Sequence, residues 1–235
     1  MIVAENKYYI SEIFHSIQGE GNYAGANALF VRFQFCNLTC SWCDTRYTWN
    51  DKSGRFQVMD ALTLKKTITD HTANHVIFTG GEPLLHPLGD LVSEGKKYHV
   101  ETNGTIIPTE PLRLKIGNTV IQREPIDANI IKDFNMVVSP KLSNSRQKVN
   151  EESIWYWAQQ NNCIFKFIIQ AKEDLQEIDT FINKFGINLQ KVYIGLEGHS
   201  LQSQLQPVLV DEIIALGFNF SPRLHLMLWG NERGK

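Results

Sequence analysis

The sequence predicts an α/β fold in which parallel strands and crossover helices build a partial (β/α)6-type barrel. Short runs rich in β-branched and aromatic residues alternate with longer amphipathic stretches, the pattern of parallel strands joined by right-handed crossovers. About six such units fit into 235 residues, whereas a closed eight-unit barrel typically takes about 250. Each unusual polar motif also follows the C-terminal end of a predicted strand, where chemistry collects in such folds. No repeat, low-complexity tract or linker breaks the pattern, so residues 1–235 read as one domain.

The elements follow in order. Residues 28–35 (ALFVRFQF) form the first strand, and 58–71 a helix. Strands follow at 75–79 (HVIFT), 98–102 (YHVET) and 135–139 (NMVVS). Helix 151–161 leads to strand 164–170 (IFKFIIQ). Helix 175–185 has Asp174 as its expected N-cap and Gly186 as its stop. Strand 191–195 (KVYIG), helix 205–216 with Gly217 behind it, and strand 218–221 (FNFS) complete the set. Residues 108–133 show no assignable pattern.

Composition narrows the function classes. The formal net charge of −2 provides no basic footprint for a phosphate backbone, so nucleic acid is not the expected partner. No apolar run reaches the roughly 20 residues that span a bilayer. The opening MIVAENKYYISE lacks the basic and long apolar regions of an export signal, which predicts a cytoplasmic protein. Three of the four cysteines lie within eight positions, and Cys163 is remote. In a reducing compartment such a cluster implies metal or redox chemistry rather than disulfides.

Cys36-Asn-Leu-Thr-Cys40-Ser-Trp-Cys43 places three thiolates on one short loop, a soft donor set suited to zinc or to an iron–sulfur cluster. Structural zinc takes four ligands, and His71, His75 or Cys163 would have to close the set in space. A [4Fe–4S] cluster on three thiolates keeps one iron open for a chelating amino and carboxylate pair. Thr79-Gly80-Gly81-Glu82-Pro83 follows a strand, with glycines for close backbone approach and Glu82 to accept from an ammonium, although the same residues also make an ordinary turn. Glu101-Thr102-Asn103-Gly104 reads equally as a ribose or carboxylate contact and as an Asn-Gly turn. Ser139-Pro140-Lys141 and Gln170 stand at later strand ends.

Upstream, Ile13-Phe14-His15-Ser16-Ile17-Gln18-Gly19-Glu20-Gly21 offers an amide and a carboxylate on a glycine-shaped backbone, able to meet the donor-rich edge of a pterin-like ring or simply to form a surface turn. Arg32 lies inside an apolar strand and needs a carboxylate partner, on the chain or on a substrate. Asp44-Thr45 offers oxygen to a hard cation such as Mg²⁺, or an Asx turn.

With an aromatic before its last cysteine, the Cys-x3-Cys-x2-Cys loop resembles the signature of the radical S-adenosylmethionine superfamily, and TGGEP resembles that superfamily's methionine-binding motif. The resemblance implies a radical S-adenosylmethionine core with a modified C-terminal part, a [4Fe–4S] cluster on Cys36, Cys40 and Cys43, and reductive cleavage of S-adenosylmethionine. It implies cofactor contacts from Gly80, Gly81, Glu82, Glu101, Asn103, Ser139, Pro140, Lys141 and Gln170. IQGEG, the arginine strand, CDT, TGGEP, ETNG, SPK and Ser221-Pro222-Arg223-Leu224-His225, in that order across residues 10–229, further resemble the 7-carboxy-7-deazaguanine synthases.

That family contracts the ring of 6-carboxy-5,6,7,8-tetrahydropterin with loss of ammonia, feeding deazapurine bases such as queuosine. The resemblance implies Mg²⁺ on Thr45 and substrate contacts from Ile17, Gln18, Gly19, Glu20, Arg32, Thr79 and His225. It also implies hydrogen abstraction from C6 of the pterin, an electron donor such as a flavodoxin, and a homodimer. Two departures stand out: Gly195-Leu196-Glu197-Gly198 replaces an expected Met-Pro-Glu-Gly, and 108–133 is long enough for an inserted hairpin or lid. A radical activase of a partner protein and a non-enzymatic zinc module are the rival readings.

Overall fold

The computed structural model describes residues 7–235. The expectation that residues 1–12 carry no export signal therefore falls partly outside the described residues. Two strands, β1 (Lys7–Ile17) and β2 (Asn27–Phe33), pair antiparallel, and β3 (Gln57–Asp60) pairs on the far side of β1. Helix α1 (Ala61–Asp70) starts where the Asp60 carboxylate accepts from the Thr63 backbone N–H. The helix predicted from residue 58 thus loses its first turn to a strand, because β1 supplies an edge that 58–60 can join.

Strands β4 (His75–Gly80) and β5 (Lys97–Thr102) follow, joined by short 3-10 turns instead of a helix. The unassigned stretch folds as a hairpin, β6 (Leu112–Ile116) and β7 (Thr119–Arg123), and a short helix α2 (Ala128–Asp133). The regular alternation then resumes with β8 (Asn135–Val138), α3 (Glu151–Ala158), β9 (Cys163–Ile169), α4 (Glu173–Phe185) and β10 (Val192–Leu196). A small α5 (Leu201–Gln204), α6 (Pro207–Ala215), β11 (Asn219–Phe220) and α7 (Leu224–Trp229) complete the chain. Gly186, at φ +64°, ends α4 as expected. Asp174 sits inside α4 and caps the preceding turn instead, accepting from the Gln170 N–H at 2.7 Å.

The sheet has nine strands in the order β11-β10-β9-β8-β5-β4-β2-β1-β3. From β2 to β11 every neighbouring pair is parallel, through six pairings, and the sheet remains open between its edges. This is the predicted partial barrel, with an antiparallel pair added before its first strand. Alternate strand residues divide the faces. Val76, Phe78, Val100, Val138 and Phe165 face the helical layer and pack with Leu64, Ile68, Ile154, Trp157 and Ile178. Each such buried side chain contributes about 1.5–3 kcal/mol relative to exposure. On the concave face Ala28, Phe30 and Ile77 form a separate small cluster with Phe14 against it.

Candidate active site

The cysteine loop begins at a bend. Phe35 has φ 75°, unusual for a bulky residue, and is 1% exposed. Its N–H donates to Thr48 O at 2.6 Å and the Cys36 N–H to Trp49 O at 3.0 Å, so backbone bonds hold the bend. The two glycines of TGGEP explain the rest. A Cβ on Gly81 would stand 1.9 Å from Phe35 O, and one on Gly80 2.4 Å from Phe33 O. Their lack of side chains lets the end of β4 dock on the cysteine loop, sealed by Gly81 N–H to Phe33 O at 3.0 Å and Glu82 N–H to Phe35 O at 2.8 Å. On the other side the Trp42 indole N–H donates to Asn144 Oδ1 at 3.3 Å, and the Lys141 ammonium lies 5.2 Å from the Trp42 ring centre.

Cys36, Cys40 and Cys43 line one cavity of about 450 Å³ with Gly80, Gly81, Asn103, Ser139 and Lys141. Burial pushes the Cys36 thiol up to about 12, so ligation requires the positive charge of iron to displace its proton. Three thiols from one loop, lining one cavity with Gly80 and Gly81, are the soft donor set of a three-thiolate cluster that leaves one iron open. The residues proposed to close a zinc site do not line the cavity: Cys163 and His75 begin β9 and β4, at the opposite strand ends, His75 Nδ1 is hydrogen-bonded to His99 Nε2 at 2.8 Å, and His71 ends α1.

Four residues expected at the cofactor, Glu82, Pro140, Gln170 and Glu101, take positions that the sequence did not show. Glu82 is fully buried, and its carboxylate accepts from Leu84 N–H at 3.0 Å, Thr102 Oγ1 at 2.8 Å and Asn103 N–H at 2.8 Å. It ties the ends of β4 and β5 together and does not line the cavity. Desolvation lifts its pKa to about 7. Pro140 is buried and Gln170 exposed, and neither lines the cavity. Glu101 changes company: it accepts from Gln18 Nε2 at 3.0 Å and Thr79 Oγ1 at 2.7 Å, two residues expected on the substrate side.

The residues expected to meet a substrate gather around Glu20. Its carboxylate accepts from Lys166 Nζ at 2.5 Å and Arg223 Nε at 3.1 Å, and Arg223 also reaches Asp44 at 2.6 Å and Gly198 O at 2.7 Å. Burial would raise the Glu20 pKa, but the two cations hold it far below the usual carboxylate range. Arg32 meets Glu12 at 2.8 Å, so its partner lies on the chain. The SPRLH segment docks on the QGEG turn: Leu224 N–H donates to Gly19 O at 3.0 Å, Gly21 N–H to Ser221 Oγ at 2.8 Å, and the His225 ring occupies the space a Cβ on Gly19 would need. Ile17, Gln18, Gly19, Glu20, Arg32, Thr45, Thr79 and His225 all line the same cavity as the cysteines.

Lys166, Arg223 and Glu12 were not singled out from the sequence as site residues. Lys166 carried the same signal as Arg32, a lone cation inside an apolar strand.

The Radical SAM superfamily model matches residues 30–121. A 7-carboxy-7-deazaguanine synthase of Pyrobaculum aerophilum is 32% identical over 234 residues, covering 96% of each chain. Another, from Hyperthermus butylicus, is 34% identical, covering 93% of this chain and 92% of the relative. In fold, the chain matches QueE from Escherichia coli at TM-score 0.66 and 22% identity, covering 93% of this chain and 98% of that one. It also matches Streptococcus suis SuiB bound to S-adenosylmethionine at TM-score 0.51 and 16% identity, covering 80% of this chain and 48% of that one. The chain belongs to the 7-carboxy-7-deazaguanine synthase family of radical S-adenosylmethionine enzymes.

Proposed function

We propose that this enzyme converts 6-carboxy-5,6,7,8-tetrahydropterin to 7-carboxy-7-deazaguanine with loss of ammonia, acting as one domain over residues 1–235. The observation that carries this reading is a single cavity lined both by the three cysteines and by the Gln18–Glu101–Thr79 and Glu20–Lys166 groups. When bound, the [4Fe–4S] cluster and S-adenosylmethionine supply a radical that abstracts hydrogen.

The chain's own residues bind and orient. Cys36, Cys40 and Cys43 hold the cluster, and Gly80 and Gly81 offer backbone carbonyls to the methionine ammonium. Ser139, Lys141 and Asn103 take the cofactor's polar groups. Glu20, kept ionised by Lys166 and Arg223, accepts from the N–H groups of the pterin edge, beside Gln18 and Glu101. Arg32 takes the substrate carboxylate, and Thr45 would hold Mg²⁺, a hard cation suited to oxygen ligands. Ile17, Gly19 and His225 shape the ring pocket.

The electron comes from a donor such as a flavodoxin, and the enzyme works as a homodimer in the cytoplasm. No helix among the described residues is long and apolar enough to cross a membrane.

Anaerobic reconstitution tests the reading. Loaded enzyme given reductant, S-adenosylmethionine, Mg²⁺ and the carboxylated pterin is expected to release the deazaguanine, detected by its mass. S-adenosylmethionine cleavage without that product would overturn it, and iron-free, zinc-loaded protein would overturn the cluster assignment.

A further inference from the structure

The structure assigns Glu12 a positioning role: it holds the Arg32 guanidinium by one edge and keeps both terminal amino groups free to fork onto a substrate carboxylate. This rests on the proposed pterin substrate and deepens it. Arg32 Nε donates to Glu12 Oε2 at 2.8 Å, its one side-chain hydrogen bond among the described residues. A guanidinium has five N–H donors, so the four on its terminal nitrogens remain, in the geometry that grips a carboxylate through two parallel bonds. Arg32 lines the cavity, and its side chain is 17% exposed.

Two further contacts fix the plane of that fork. The guanidinium carbon lies 5.6 Å from the Phe14 ring centre, and Phe14 stacks on Phe30 at 4.8 Å with 4° between planes. The cation is thus held on an edge by a carboxylate and on a face by an aromatic pair. Glu12 is itself anchored without substrate, since it accepts from Tyr47 Oη at 3.3 Å and from Arg233 Nε. The register of β1 on β2 shifts between Ile10 and Glu12 and places Glu12 opposite Arg32. Such an irregularity re-aims a side chain. Because Glu12 uses the Nε edge, a substrate carboxylate need not displace it.

The test compares two ligands on cluster-loaded enzyme with S-adenosylmethionine: 6-carboxytetrahydropterin and 6-methyltetrahydropterin, which lacks the carboxylate. Glu12→Gln is expected to weaken binding of the first by about tenfold, and of the second by less than about twofold, in equilibrium titration. In turnover, KM is expected to rise with kcat within about threefold, as for lost uniform binding. Adding Arg32→Lys to Glu12→Gln should cost less than the two single losses combined, because the residues act as a unit.

If Glu12→Gln does not fold, Glu12→Asp retracts the same charge by one methylene and is expected to show the same bias toward the carboxylated ligand, at about threefold. Equal weakening of both pterins, or none, overturns the assignment. Wild-type enzyme that binds both pterins alike and yields no deazaguanine instead overturns the substrate reading.

Discussion

Two halves of the concave face are built from the same strands two residues apart, yet do different work. On β4, His75, Ile77 and Thr79 point the same way, and on β5 His99 and Glu101 do. The lower half is polar but closed on itself. His75 bonds His99 at 2.8 Å, Tyr23 Oη donates to Asn135 Oδ1 at 2.8 Å, and the Tyr23 ring packs edge-on against His99. Phe14, Phe30 and Ile77 lie above as an apolar plug. The upper half pairs Glu12 with Arg32, Thr79 with Glu101 and Lys166 with Glu20, and all of these but Glu12 line a cavity. Polar side chains on the inner face therefore mark a site only near the C-terminal strand ends, where loops of the chain leave room for a ligand.

The largest contrast comes from the ligands. Cys36→Ala is expected to abolish S-adenosylmethionine cleavage and lower bound iron, whereas His99→Ala should leave iron content unchanged; iron analysis and 5′-deoxyadenosine release check both. Next is the docking of the glycine turn. Gly81→Ala must move Phe35 O, which would sit 1.9 Å from the new carbon, and is expected to cost about 3 kcal/mol in denaturant unfolding and to impair cluster loading. Lys166→Met should likewise destabilise by about 3 kcal/mol, because Glu20 loses its 2.5 Å partner in a buried setting.

The lower half should show itself in pH dependence. Burial holds His99 at about 4, below its ordinary 6.5, with His75 and Lys97 adding to the shift. The unfolded chain then binds the proton more readily. Stability is full above pH 6.5 and drains as pH falls toward 4, by roughly 3 kcal/mol from this residue. His99→Gln should flatten that slope in unfolding curves recorded from pH 7 to 4. The smallest effect is expected on the hairpin, where exposed Arg113→Ala should change stability by no more than about 0.5 kcal/mol.

Much of this was readable from local pattern. The strands at 75–80 and 163–169 are largely apolar runs that stay strands in any register, and Gly186 ends α4 because only a left-handed residue fits there. β1 went unpredicted because Lys7–Ile17 mixes polar residues among apolar ones, and its burial comes from the β2 and β3 strands that flank it. In the hairpin within 108–133, Leu112, Leu114 and Ile116 of β6 do alternate with charged residues, but β7 buries Thr119 and Arg123 beside Ile121 and so lacks a clean apolar face, which left the stretch unassigned.

In the site, Glu82 illustrates the limit. Its motif marks a cofactor turn, but whether the carboxylate meets ligand or scaffold depends on where Thr102 and Asn103 arrive, some 20 residues later.

By itself the sequence determined the metal chemistry and the family, because thiolate spacing and glycine turns are written into a few consecutive residues. The tertiary structure alone decided the charge pairing: which cation faces Glu20, which carboxylate holds Arg32, and that Gln170 stands outside. Lys166 and Arg223 lie 146 and 203 residues from Glu20. Only sheet order and register bring such groups within hydrogen-bond reach, and no local propensity encodes a distance across that much chain.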